Sequence, residues 1–168
     1  MKLHTIVFDA STIILLAKVD LLQMIAGNIK IVIPEAVQKE VLVKPTYYDA
    51  QVIAQMLKDK KMSVFSRVSS VHVKKLQEHL RLDIGEAEAL SLAKENHWIL
   101  GIDDGPGIRA AKILDVPFVT AIHILIELYE QGFINEHSAL TKLESLQILG
   151  RYHIQIIEDA KVRIKKKR

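Results

Sequence analysis

Trp98-Ile99-Leu100-Gly101-Ile102-Asp103-Asp104-Gly105-Pro106-Gly107 combines an uncharged run, two acids and a turn within ten residues, and the architecture follows from it. Trp98 to Ile102 carries no charge, as an interior strand requires, and it runs directly into two aspartates and a Gly-Pro-Gly turn. A helix from Ile108 to Leu114 follows it, and Asp83, Gly85 and Glu86 open another, through Glu95, just before it. Downstream, Val116 to Thr120 gives a last short strand, and helices run from Ile122 to Glu130 and from Glu136 to Leu146. Upstream, His4 to Phe8 reads as a first strand ending at Asp9, and a helix from Ser11 to Asp20, apolar on most sides, follows. Ile29 to Ile33 is a second strand, with Pro34 placed as the first residue of the next helix. Tyr47 to Asp59 is a further helix and Ser63 to Val68 a strand of imperfect alternation. Strand then helix, repeated, predicts a three-layer α/β/α sandwich around a mainly parallel central sheet. Ligands in such sheets sit beyond the carboxyl ends of the strands, where Asp9 and Asp103 fall.

Composition narrows the function classes. At 168 residues, 49% hydrophobic and 26% charged, the chain suits one compact domain with a full core. Aromatics make up only 5%, so the core is expected from Ile, Leu, Val and Ala, and no aromatic platform for stacking bases is apparent. The absence of cysteine excludes disulfides, zinc ribbons and thiol catalysis. No charge-free run approaches the length of a membrane span, and the expected location is cytoplasmic. Net charge is +3, but the last eight residues, KVRIKKKR, hold six positive charges and no negative one, which leaves −3 for the rest. The expected division is therefore one domain over residues 1–160 and a basic tail over 161–168. Such a tail, with Lys161, Arg163, Lys165, Lys166, Lys167 and Arg168, either grips the phosphates of RNA or is a solvated end.

Four separate stretches end in carboxylates that this architecture would bring together: VFDAST (7–12), PEAVQKEV (34–41), DIGEAEAL (83–90) and ILGIDDG (99–105). Crowded carboxylates repel, so an acidic cluster implies a bound cation. Each acid also has a plain structural reading. Asp9 can cap the helix after it, Glu40 can pair with Lys44 and Glu35 with Lys39, and Glu86 stands three residues after Asp83, as in a capping box. Asp103 and Asp104 can be turn formers before Gly105. Their joint occurrence at strand ends and helix starts is what favours a site. The seven histidines are scattered, with His123 and Glu127 one helix turn apart, and no phosphate-binding glycine loop or serine-hydrolase elbow occurs. An aspartyl phosphotransferase built on Asp9 would want a second acid two residues on, where Ser11 stands.

In order and spacing these four stretches, continued by GPGIRAAKILDVPFV (105–119), resemble the PIN domain superfamily over about residues 3–135. The likeness is greatest to the toxin nucleases of type II toxin-antitoxin pairs whose third motif reads GEAEA and whose fourth reads DD followed by an arginine, here Arg109. Two departures stand out: Val119-Thr120-Ala121-Ile122 replaces a Gly-Thr-x-Gly signature, and Gly105-Pro106-Gly107 replaces longer side chains. The resemblance implies an endoribonuclease dependent on Mg²⁺ or Mn²⁺, with RNA as substrate, a homodimer, and an antitoxin protein as partner. It implies Asp9, Glu40, Glu86 and Asp103 as the catalytic and metal-binding quartet, Asp104 as a further ligand, and Ser11, Thr12 and Arg109 as supporting groups. The helices Ile13–Leu22 and Ile122–Tyr129 have more apolar surface than one buried face needs, which suits an interface. The alternative is a catalytically silent PIN-like module that binds RNA or protein.

Overall fold

The computed structural model describes residues 4–166. Five parallel strands form one sheet: β1 (Thr5–Phe8), β2 (Lys30–Pro34), β3 (Met62–Phe65), β4 (Ile99–Gly101) and β5 (Phe118–Val119), in the order β3-β2-β1-β4-β5. The connections are helical: α1 (Ala10–Lys18), α2 (Leu22–Ile25), α3 (Glu35–Val41), α4 (Tyr48–Lys58), α5 (Ser70–Leu80), α6 (Ile84–Asn96) and α7 (Gly105–Ile113). Three helices, α8 (Ala121–Glu130), α9 (Glu136–Leu149) and α10 (Ile154–Lys166), follow the last strand.

Register sets the layers. Val7 pairs with Val32 on one side and Leu100 on the other. Side chains alternate, so Val7, Val32, Leu100 and Ile102 face one core with Leu90, Leu92, Ala110 and Ala111 of α6 and α7. Ile6, Phe8, Ile31 and Ile33 face the opposite core, where α1, α8, α9 and α10 supply Ile13, Leu16, Leu125, Leu143 and Ile164. Helices thus cover both faces, which a parallel sheet of near-continuous apolar strands demands. The α/β/α sandwich expected from the sequence is the observed fold.

The differences are local. Pro34 closes β2 and stands at the N-cap of α3, with φ −74° and ψ 165°, so the helix starts one residue later than expected. The strand expected over 63–68 ends at Phe65, and that expected over 116–120 shortens to two residues. Helices α2, α5 and α10 have no counterpart among the expected elements. The expected boundary between residues 160 and 161 falls inside α10, because Ile157, Ala160 and Ile164 recur at helical spacing and are buried against the core. Lys161, Arg163, Lys165 and Lys166 are therefore helical, and Lys167 and Arg168 lie outside the described residues. The apolar surplus of α1 and α8 is taken up within the chain, since Ile13, Leu16, Ile122, Leu125 and Leu128 are all buried under α9, α10 and their neighbours. No helix among the described residues is long and apolar enough to cross a membrane.

Candidate metal centre

Strand order reverses direction at β1: β2 and β3 extend the sheet one way, β4 and β5 the other. The crevice beyond the carboxyl ends of β1 and β4 is the topological switch point, where helices depart to opposite faces. Asp9 follows β1 directly, and Asp103 and Asp104 follow β4. Carboxylate oxygens of Asp9, Glu86 and Asp104 lie within 4.8 Å of one another.

Each of the three acids is also a helix-start residue, so the structural and site readings coincide. Asp9 is the N-cap of α1, accepting from the Thr12 N–H at 2.8 Å and the Ser11 hydroxyl at 2.6 Å. Glu86 forms a capping box with Asp83: it accepts from the Asp83 N–H at 2.9 Å, and Asp83 accepts from the Glu86 N–H at 2.8 Å. Asp104 is the N-cap of α7, and its Oδ2 accepts from the Gly107 N–H at 2.9 Å. Three helix N-termini converge on one spot, and their positive ends offset part of the repulsion between the carboxylates.

The remainder of that repulsion is visible in the titration of the acids. Asp9 is 2% exposed, and burial pushes its carboxyl up to about 7 from 3.8, against the hydrogen bonds of Ser11 and Thr12 and with a further rise from Asp103. Glu86 is likewise raised to about 7, by burial first and then by Asp104 and Asp83. Two buried oxygens at the site have no hydrogen-bond partner among the described residues: the Thr12 hydroxyl and Asp104 Oδ1. An orphaned carboxylate oxygen facing two other carboxylates is what a hard cation satisfies. Oxygens bound to one Mg²⁺ or Mn²⁺ at about 2.1 Å stand at most about 4.2 Å apart, so the observed spread closes with sub-ångström side-chain shifts. The donor set fits the ion.

Gly107 is what allows Asp104 its position. A Cβ there would lie 2.0 Å from Ile102 Cδ1 and 2.5 Å from the orphaned Asp104 Oδ1. A glycine at 107 leaves room for this carboxylate.

Of the expected quartet, Glu40 and Asp103 stand outside the three-oxygen group. Glu40 is largely exposed on α3, facing Gly85 and Asp83, and partial burial and the Asp83 charge raise its carboxyl. Asp103 turns toward α8: both its oxygens accept from the Ala121 N–H, at 3.0 and 3.3 Å, and Oδ1 also accepts from the Tyr152 hydroxyl. Burial raises the Asp103 carboxyl, and these donors oppose the rise. Asp104, one residue on and expected as a further ligand, belongs to the three-oxygen group. Ser11 and Thr12 sit at Asp9 as expected, and the Arg109 guanidinium lies over Gly105, 3.3 Å from where a Cβ would stand. His123 pairs with Thr120 in the cap of α8 and not with Glu127.

Two residues were not legible as site components. Glu88, the second glutamate of GEAEA, accepts from the Ala36 N–H at 3.0 Å and so fastens α6 to the start of α3. Its spacing from Glu86, two residues on a helix, already places the two on different faces. Tyr152 lies in the link between α9 and α10, beyond every motif, and nothing in its sequence context points to the site.

No curated protein and no solved structure matches the chain. A family model described as a PIN domain matches residues 5–165, nearly the whole sequence. The match covers well over half of the chain, and the chain belongs to the PIN domain family.

Proposed function

We propose that the chain is an endoribonuclease that uses Mg²⁺ or Mn²⁺ held by Asp9, Glu86 and Asp104. The observation that carries this reading is the convergence of those three carboxylates, from three distant segments, around an orphaned Asp104 oxygen. Membership of a family whose members are generally nucleases supports the reaction class. A divalent cation held by Asp9, Glu86 and Asp104 would supply Lewis-acid chemistry for a phosphodiester and a water. The residues of the chain hold and aim. Ser11 and the Thr12 N–H fix both oxygens of Asp9, Asp83 fixes Glu86, and the start of α7 fixes Asp104. The buried Thr12 hydroxyl lies against the Asp9 and Asp103 carboxyls and helps to hold their charge. Arg109, exposed at the rim, offers its guanidinium to a neighbouring phosphate. Glu40 and Asp103 add negative charge at the margin. No protein nucleophile is needed.

RNA is drawn to this acidic centre by cations elsewhere, and we assign that part to the basic end of α10. Among the described residues of that end, Lys165 and Lys166 are the exposed charges without an ion pair, since Arg163 is engaged by Glu130 through two bonds of 2.6 and 2.9 Å and Lys161 by Glu158 at 2.9 Å. As the toxin of a type II pair, the protein would act as a homodimer and be silenced by an antitoxin protein. That part rests on the resemblance of the GEAEA and DD stretches, and exposed Ile148, Leu149, Ile154 and Ile156 offer apolar surface for a second copy. The deciding experiment is cleavage of a mixed RNA by the purified chain with Mn²⁺, beside Asp9→Asn and Glu86→Gln. Activity that is lost in EDTA and in both variants supports the reading. Cleavage that persists in either variant, or none by the native chain under any divalent ion, overturns it. Light scattering that gives a monomer mass at micromolar concentration overturns the dimer alone.

A further inference from the structure

We infer that Arg81 and Arg151 form a clamp at the rim of the acidic centre, one from each face of the sheet, that holds the phosphates of single-stranded RNA on either side of the bond to be cut. The inference rests on the ribonuclease reading above and adds to it two residues that lie outside the acidic motifs.

The centre cannot hold a polyanion unaided. Three carboxylates against one divalent ion leave the crevice negative, and phosphates flanking the reacting one are repelled from it. The basic end of α10 is too distant to help there. Arg163, in its last turn, is bonded to Glu130 at the far end of α8. The near end of α8 meets the centre, where the Ala121 N–H donates to Asp103, and the nine helical steps from Ala121 to Glu130 span about 14 Å. Cations so placed can gather RNA but cannot align one phosphate.

Two arginines do stand at the rim. Arg81 ends α5 and precedes by two residues Asp83, which is bonded to Glu86 in both directions. Helices α5 and α6 run antiparallel, since His72 near the start of one meets Glu95 near the end of the other, so the Arg81 end of the pair is the end at the centre. Arg151 lies between Gly150 and Tyr152 in the link from α9 to α10, and the Tyr152 hydroxyl donates to Asp103 beyond the carboxyl end of β4. The link is tightly bent: a Cβ on Gly150 would lie 2.4 Å from the Tyr152 ring. Val73, Leu76 and Leu80 pack α5 on the core shared with α6 and α7, whereas the Tyr152 ring packs on the core of α8, α9 and α10. The two arginines therefore approach the crevice from opposite faces of the sheet. Both are exposed, and neither makes an ion pair among the described residues. Planar guanidinium forks match phosphate oxygens two at a time. A strand laid across the crevice runs from one fork, over the carboxylates and their cation, to the other.

The backbone at Arg81 supplies a clean variant. Its φ is 56°, and its N–H donates to the Gln77 carbonyl at 3.0 Å, a left-handed helix end that favours glycine. Arg81→Gly thus removes the guanidinium without straining the chain.

The test is fluorescence anisotropy of a short labelled single-stranded RNA titrated with full-length protein over a range of KCl, in EDTA to block a metal-dependent cut. Arg81→Gln and Arg151→Gln should each weaken binding about 5-fold at about 0.1 M salt and lower the slope of log affinity against log salt by about 0.7, the release expected for one phosphate of a single strand. Arg81→Gly should match Arg81→Gln, and Arg81→Lys and Arg151→Lys, which keep the charge, should keep the slope. Lys61→Gln makes the same charge change just before β3, at the opposite end of the strands, and should leave the slope alone. Mn²⁺ affinity, read from the electron paramagnetic resonance of free Mn²⁺, should be unchanged throughout, since neither arginine is a ligand. Equal slopes for the native protein and both glutamine variants, or an equal fall in Lys61→Gln, overturn the clamp alone. A native chain that binds no single-stranded RNA overturns the ribonuclease reading itself.

Discussion

Replacing Asp9 by asparagine should make the metal-free protein more stable at neutral pH, and the structure sets the size and pH range of the gain. Burial raises the folded-state carboxyl to about 7, whereas the unfolded chain ionises at the ordinary 3.8. Between those values the folded protein keeps a proton that the unfolded chain has released, so stability falls as pH rises through that window and is level above it. At about 1.4 kcal/mol per pH unit, some three units correspond to about 4 kcal/mol. Asparagine carries no such cost. It keeps the side-chain volume, its oxygen can still accept from the Thr12 N–H, and the raised value is already net of the donors from Ser11 and Thr12. The gain is therefore up to about 4 kcal/mol, or roughly 8–16 °C for a chain of this size. Thermal melts by circular dichroism in EDTA, at pH 4 and pH 8, measure it directly. The variant should melt above the native protein at pH 8 and within a few degrees of it at pH 4. Saturating Mn²⁺ should then raise the native protein alone, by about 2.7 kcal/mol at a hundredfold excess over Kd, and narrow or reverse the order. A variant that melts below the native protein at pH 8 in EDTA, or a gap independent of pH, would refute the reasoning.

Other outcomes follow from the same geometry. Mn²⁺ affinity should strengthen from pH 5.5 to 7.5 and then level off, since Asp9 and Glu86, both raised to about 7, must lose protons to bind; a titration by calorimetry with flat affinity across that range contradicts this. Gly107→Ala should weaken Mn²⁺ binding and cost about 1–3 kcal/mol, as the new Cβ meets Ile102 and Asp104 Oδ1, and urea unfolding checks the second part. Ile164→Ala, in the buried face of α10, should cost about 2–4 kcal/mol, whereas replacing Lys165 and Lys166 by serine should leave stability alone and flatten the salt dependence of RNA binding.

Legibility followed locality. The strand before Asp103, the helix after Asp83 and the apolar run before Asp9 are spelled out by contiguous residues, and their alternation was enough for the layered parallel sheet. The acids were legible as a set because strand ends and helix starts converge in that architecture. Which of two adjacent aspartates faces the centre was not, because that choice depends on the Ala121 N–H and the Tyr152 hydroxyl, both remote in sequence from Asp103. Nor was α10. Six charges in eight residues read as a solvated end, while of the three small and apolar residues that bury the helix only Ile164 lies among them, Ile157 and Ala160 standing just before. Counting charge concealed a helical stripe that periodicity would have revealed.

The reversal of strand order at β1 also dictates when the centre can exist. β1 and β4 are neighbours in the sheet although most of the chain separates them, and their pairing is what sets Asp9 beside Asp104. During synthesis from the N-terminus, β1, β2 and β3 can assemble first, with Asp9 present but its partners still unmade. Glu86 and then Asp104 arrive only as β4 slots in along the open edge of β1, and Tyr152 comes near the very end. A centre built in this way is withheld from any chain that stops short of β4, so Mn²⁺ protection against proteolysis would report the docking of that strand.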